Sequence, residues 1–249
     1  MKVLLLGVTG FIGSHVYKYL GGLGYECDYI NQNEFNHEDW KKLDEKPDAV
    51  VNCAWVRESD LQSHKHIEFA EWVINFYNEC KNRGIRVINI GSSSEYGPKF
   101  AAMKEDMVCE PISAYGIGKL MVTLWAKRLG YNTLRLFSPF GEGGKNFASI
   151  FEKSDKYGNS HDTRDYYPVE LVCHAVERLL HAHHIYGEII NVCSGIPRSN
   201  IEVIGDIGST KRIKLGNNVD KRWNKYPQRQ YEPYTWYGDT DKMHRLLNI

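Results

Sequence analysis

The chain has 249 residues, 42% hydrophobic and 25% charged, enough for one sizeable core and a smaller lobe. Its 31 basic and 31 acidic side chains cancel, so no basic field exists to hold nucleic acid or an anionic membrane, and any anionic ligand must be gripped locally. No apolar run reaches the ~18 residues that span a bilayer, Met1 leads straight into the first strand without room for a signal peptide, and the six cysteines form no Cys-x-x-Cys pair.

Cys27, Cys53, Cys80, Cys109, Cys173 and Cys193 lie far apart, four of them inside apolar runs, and predict reduced, buried thiols in a cytoplasmic protein. In chain order, the first strand is Lys2-Val3-Leu4-Leu5-Leu6, which breaks into Gly7-Val8-Thr9-Gly10-Phe11-Ile12-Gly13 and continues as an amphipathic helix through Leu20. Three glycines alone would make a flexible loop. Between a strand and a helix, Gly7 permits a tight turn, Gly10 lets backbone approach a pyrophosphate, and Gly13 brings the helix close to the strand. A second strand is expected over 26–30, a short helical piece over 38–43 and a third strand over 48–53. A helix over 61–83 ends at Gly84, and strand 86–90 follows. A helix over 113–129 ends at Gly130, strand 132–137 comes next, and helix 169–181 and strand 188–192 complete the alternation. This predicts an α/β fold, a Rossmann-type doubly wound parallel sheet with helices on both faces. Residues 1–140 with 166–193 would form the dinucleotide-binding domain. Residues 141–165 and 194–249, richer in Tyr, Trp, Asn and Gly, would form a small substrate lobe, with the ligand between the two.

The end of the second strand tests the cofactor. An acidic residue there would bind a ribose 2'-hydroxyl and favour NAD. Asn31 stands there instead, tolerates a 2'-phosphate, and tips the reading towards NADP, although no arginine follows and Asn31 equally suits a simple turn.

Strand four runs into Gly91-Ser92-Ser93-Ser94-Glu95-Tyr96-Gly97, and Tyr115 and Lys119 share a face of the next helix. Tyr77 and Lys81 have the same spacing, but they close their helix, whereas Tyr115 and Lys119 open theirs, level with the glycine turn. A free phenol titrates near 10. An ammonium about 4 Å away, at an effective dielectric of about 20, contributes about 4 kcal/mol, enough to bring a phenol near neutrality. Tyr115 is therefore the expected proton donor or acceptor, Lys119 its electrostatic tuner, and a serine of the 92–94 run the group that fixes the substrate oxygen. His181, His183 and His184 close a helix where cations suit the dipole, and no carboxylate or Cys completes a metal site.

With these motifs in place the chain resembles the extended short-chain dehydrogenase/reductases that act on nucleotide sugars, over nearly its whole length. Gly7, Thr9, Gly10, Phe11, Ile12 and Gly13 match that family's cofactor loop, Tyr115-x-x-x-Lys119 its catalytic pair, and Ser92 its catalytic Ser/Thr. The resemblance implies that Asn31, Ala54, Tyr115 and Lys119 also touch the cofactor, and that Ser93, Ser94 and Ser138 line the substrate. Ser138, in Arg135-Leu136-Phe137-Ser138-Pro139-Phe140-Gly141, stands where many members carry Asn. Arg164, in Thr163-Arg164-Asp165, corresponds to the arginine that holds the sugar nucleotide's diphosphate, although Asp155, Asp162 or Asp165 could make it an ordinary ion pair. Arg229 is a second phosphate candidate, and Trp223, Tyr226, Tyr231, Tyr234 and Trp236 could stack a base or form the lobe's core. Dehydration needs an acidic pair after the catalytic Ser/Thr, where Ser93 and Ser94 stand. A combined 3,5-epimerase and reductase would carry Cys in place of Ser94.

The implied activity is NADPH-dependent reduction of a nucleoside-diphosphate-4-keto-6-deoxyhexose, in deoxysugar biosynthesis for surface polysaccharide. A nucleotide-sugar 4-epimerase, or from another class a non-catalytic NADP-binding regulatory protein, are the alternatives. A homodimer through helices 61–83 and 113–129 is expected.

Overall fold

Aliphatic runs buried on both faces form a six-stranded, wholly parallel sheet in the computed structural model, which describes residues 1–30, 40–144, 162–203 and 235–249. The described elements are β1 (Lys2–Leu6), α1 (Phe11–Gly22), β2 (Glu26–Ile30), α2 (Lys41–Asp44), β3 (Ala49–Asn52), α3 (Lys65–Asn82), β4 (Arg86–Ser92), α4 (Ala114–Leu129) and β5 (Asn132–Leu136). They continue with β6 (Ser138–Phe140), β7 (Thr163–Pro168), α5 (Glu170–His181), β8 (Ile189–Val192), β9 (Pro197–Ser199), β10 (Thr235–Trp236) and α6 (Asp241–Leu247). The sheet order is β2-β1-β3-β4-β5-β8. The chain moves outward from β1 to β2 and returns past β1 to β3, so the order reverses between β1 and β3 and a crevice opens above their carboxyl ends. This is the doubly wound, Rossmann-type arrangement that the alternation predicts.

Side chains alternate along β1 as a pleated strand requires: Val3 and Leu5 join one core, Leu4 and Leu6 the other. The first core is sealed by α1, α5 and α6 through Val16, Leu20, Val176, Leu179 and Met243, the second by α3 and α4 through Val73, Phe76, Val122 and Ala126. Each fully buried Leu or Val contributes about 1.5–3 kcal/mol, so burial on two faces anchors the helices. A second, smaller sheet gathers β6, β7, β9 and β10, with β7 paired to the other three. Strand β7 runs through position 165, the expected limit between the two domains. Among the described residues, no helix is long and apolar enough to cross a membrane.

Three local expectations are corrected. Helix α3 begins at Lys65, not at 61. Residues 61–62 instead cap α4: the Leu61 carbonyl accepts the Tyr115 N–H at 2.9 Å and Gln62 Oε1 accepts the Ala114 N–H at 3.3 Å. Strand β4 continues to Ser92, two residues further than predicted, because its end pairs with Arg135 and Leu136 of β5. All six cysteines are free, but only Cys80, Cys173 and Cys193 are buried, while Cys27, Cys53 and Cys109 are partly exposed.

Candidate active site

Part of the predicted set lies along the carboxyl edge of the sheet. The glycine turn follows β1, Ala54 follows β3, Ser92 ends β4, and Ser138 opens β6 directly after β5. Gly7 has φ +82°, and a Cβ there would lie 2.7 Å from the backbone of Ala54, so only glycine lets the two loops touch. Gly10 caps α1, and its N–H donates to the Gly7 carbonyl at 2.9 Å. No side chain caps the helix and its first turn carries no acid, which suits an anion at its N-terminus. Phe11 packs edge-on against His15, and Ile12 packs on the core. Asn31 and Arg229 lie outside the described residues, as do Asp155, Trp223, Tyr226, Tyr231 and Tyr234.

Ser113 caps α4 by accepting the Gly116 N–H at 3.1 Å, and Gly130 closes it with φ +83°. Gly116 and Gly118 let the helix pack closely, since a Cβ would lie 2.6 Å from the Ser94 carbonyl at the first and 2.6 Å from the His66 carbonyl at the second. That fit brings the half-buried Tyr115 phenol within hydrogen-bonding reach of the Ser92 hydroxyl. The Ser92 hydroxyl also accepts the Ser94 N–H at 3.2 Å. Ser93 is buried within a single 3-10 turn, and Ser94 is partly exposed.

The electrostatics differ from the expectation. Burial pushes the Tyr115 phenol above its ordinary value, the Ser92 contact opposes this, and the Glu95 carboxylate adds to it. Lys119 follows one turn later on the same helix. The ammonium is buried, donates to the Ile90 carbonyl at 2.9 Å and lies 4.2 Å from the centre of the Trp55 ring. Burial pushes it down to about 8, against opposing effects of Glu95 and Cys53.

Several residues at this edge were not singled out from the sequence. Trp55 donates its indole N–H to His66 Nδ1 at 3.1 Å, and the other ring nitrogen of His66 bonds the Asp60 carbonyl at 3.0 Å, which assigns a neutral imidazole protonated at Nε2. Both rings meet Tyr115 edge-on, at 5.9 and 5.4 Å. Arg57 donates to the Thr9 hydroxyl at 2.8 Å, so an arginine does stand at the glycine turn, brought from beyond β3. Glu95 and Arg135 form a fully buried ion pair, with Nη2 to Oε2 at 2.8 Å, behind Ser92. Only the apolar character of strand ends and a Glu three residues after Ser92 hinted at these roles in the sequence.

In the smaller sheet, Asp165 does not serve Arg164. Successive residues of β7 face opposite ways, and the buried Asp165 carboxylate accepts from the Ser194 N–H and hydroxyl, both at 2.7 Å, the Gly195 N–H at 3.0 Å and the Gly238 N–H at 3.2 Å. Arg164, whose Nη1 donates to the Thr163 carbonyl at 2.8 Å, is paired in register with Arg198 on one side and Trp236 on the other. Residues in register share a face, so two guanidiniums and an indole lie in a row.

A dinucleotide crevice at a strand-order reversal, with a serine, a tyrosine and a lysine at its rim, defines a nicotinamide-dependent enzyme of oxidoreductase type. The chain belongs to the NAD dependent epimerase/dehydratase family, whose model matches residues 3–193. It is 28% identical to Protein CapI of Staphylococcus aureus over 72% of this chain and 69% of that protein. It is 21% identical to the dTDP-6-deoxy-L-talose 4-dehydrogenase (NAD(+)) of Aggregatibacter actinomycetemcomitans over 96% of this chain and 99% of that one. Its fold superposes on MoeE5, solved in complex with UDP-glucose and NAD, with a TM-score of 0.86 at 20% identity, covering 100% of this chain and 93% of the other.

Proposed function

We propose that the protein is an NADPH-dependent 4-ketoreductase of a nucleoside-diphosphate-4-keto-6-deoxyhexose, acting in the cytoplasm in deoxysugar biosynthesis for surface polysaccharide. The observation that carries this reading is the placement of Ser92 and Tyr115 together at the carboxyl edge of the sheet, with serines rather than an acidic pair following Ser92. A dehydratase's acids are lacking beside Ser92: Ser93 and Ser94 follow it, and Glu95 is sealed against Arg135.

A dinucleotide bound in the crevice would be held by the turn from Gly7 through Thr9, Gly10, Phe11 and Ile12 to Gly13, with Ala54, Tyr115 and Lys119 as its further neighbours. When bound, the nicotinamide supplies a hydride to the ketone carbon. Tyr115 gives its proton to the ketone oxygen, and Ser92 hydrogen-bonds the same oxygen where negative charge develops. Ser93, Ser94 and Ser138 orient the sugar. Arg164, with Arg229, holds the diphosphate in the small lobe of residues 141–165 and 194–249, and the row of Arg198 and Trp236 beside Arg164 supports that assignment. Preference for NADPH is supported by Asn31 and by the Arg57 guanidinium at Thr9, although a relative and a structural neighbour carry NAD in their names. Ile117 and Leu124, exposed on α4, support a homodimer through that helix.

The test mixes a dTDP- or CDP-4-keto-6-deoxyglucose, formed in situ by a dehydratase, with NADPH or NADH and follows the nicotinamide absorbance. The expected result is faster oxidation of NADPH with a 4-hydroxy product. Interconversion of 4-hydroxy nucleotide sugars without net cofactor use would make the protein an epimerase. Cofactor binding without turnover of any 4-keto sugar would leave the regulatory reading.

A further inference from the structure

Behind the reacting groups lies the carboxylate of Glu95, fully buried at the end of the turn that begins at Ser92. One oxygen, Oε1, accepts the Ser92 N–H at 2.8 Å and the Thr123 hydroxyl at 3.0 Å. The other, Oε2, takes Arg135 through Nη2 at 2.8 Å and Nε at 3.0 Å. Arg135 in turn lies 4.3 Å from the centre of the Tyr96 ring. Stability does not account for such a pair, because apolar residues of similar volume often replace a buried ion pair at no loss. The local geometry is built around it nonetheless. Gly91 leaves the room it needs, since a Cβ there would lie 2.7 Å from Oε1, and Ser92 and Glu95 cap the turn reciprocally.

We propose that Glu95 is a positioning residue for the catalytic groups, holding Ser92 through its backbone N–H and presenting a negative charge behind Tyr115 and Lys119. This rests on the reading of Ser92, Tyr115 and Lys119 as the reacting groups. The charged and titratable groups facing Glu95 are Arg135 on β5, Tyr96 beside it, Cys109 on the following loop, and Tyr115 and Lys119 on α4, with Cys53 facing Lys119. The negative charge raises the pKa of both Tyr115 and Lys119, so each keeps its proton to higher pH. The phenol thus stays in the form that donates.

Two variants separate holding from charge. Glu95→Gln keeps an oxygen over the Ser92 N–H and removes the charge. Its basic limb of kcat for ketone reduction should move to lower pH, because Tyr115 and Lys119 lose the anion and the unpaired Arg135 acts in the same direction. Glu95→Leu combined with Arg135→Met keeps volume and removes both charges. It should turn over at least tenfold more slowly than wild type with KM within twofold, because Ser92 loses its anchor. Wild-type kcat in the apolar pair, or an unmoved limb in Glu95→Gln, overturns the proposal. Should the apolar pair not fold, the Glu95→Gln profile decides alone. A third measurement needs no substrate: the Cε NMR signal of Lys119, identified by its loss in Lys119→Met, should titrate at about 8 in the wild type and lower in Glu95→Gln. An unmoved signal refutes the role of Glu95. A moved signal in a protein that reduces no 4-keto sugar supports it and refutes only the substrate.

Discussion

Helices α3 and α4 each carry a tyrosine and a lysine four residues apart, and the two pairs serve opposite ends. Tyr77 is buried against the sheet, where its hydroxyl accepts from Asn52 Nδ2 at 2.9 Å and donates to Asn89 Oδ1 at 2.8 Å, and burial holds its phenol well above its ordinary value. Lys81 points away at the helix end and donates to the Leu129 carbonyl at 3.0 Å. Tyr115 instead stands half-buried beside Ser92 at the crevice, and it is the lysine, Lys119, that is buried. The burial is exchanged between the partners. One pair locks a tyrosine into a polar bridge between strands, whereas the other strains a lysine and leaves a tyrosine accessible.

The comparison breaks most visibly in catalysis. On the proposed reaction, Tyr115→Phe should lower kcat on the order of 10²–10⁴-fold, the usual worth of a placed acid, with cofactor affinity and the melting midpoint nearly unchanged. Tyr77→Phe should keep kcat within twofold in the same assay. If Tyr115→Phe retains more than a tenth of the activity, the two tyrosines do not differ as described.

The lysines sharpen the contrast through pH. Lys119 titrates at about 8 in the fold against 10.5 for an ordinary lysine, so between those values the unfolded chain binds more protons and folding stability rises with pH. Relative to Lys119→Met, the wild type should gain up to about 3 kcal/mol between pH 8 and pH 10.5. Urea titrations of both proteins at the two ends of that range measure it. A constant difference would show that Lys119 is not strained by burial.

The smallest effect concerns the bridge. Tyr77→Phe removes the group that joins Asn52 and Asn89 and should cost about 1–3 kcal/mol of stability. Thermal or urea unfolding of that variant reads it, and an unchanged midpoint would mean that the bridge is idle.

The sequence by itself determined the elements whose signals are local. Aliphatic runs, the glycine turn, Ser113 before α4 and Gly130 after it act within a few residues of themselves, so β1, α1, α4 and the doubly wound order were legible, as were Ser92, Tyr115 and Lys119 as residues that the fold would bring to one edge. The start of α3 was not, because residues 61–62 give up helical hydrogen bonds to cap a helix about fifty positions later. Only the tertiary structure decided what surrounds Ser92, Tyr115 and Lys119. Arg57 reaches Thr9 across 48 positions, Arg135 reaches Glu95 across 40, and Trp55 covers Lys119 from another strand end. Charge and burial act through space, and a spacing of four along a helix does not reveal which member of a pair faces water and which is sealed beneath an indole.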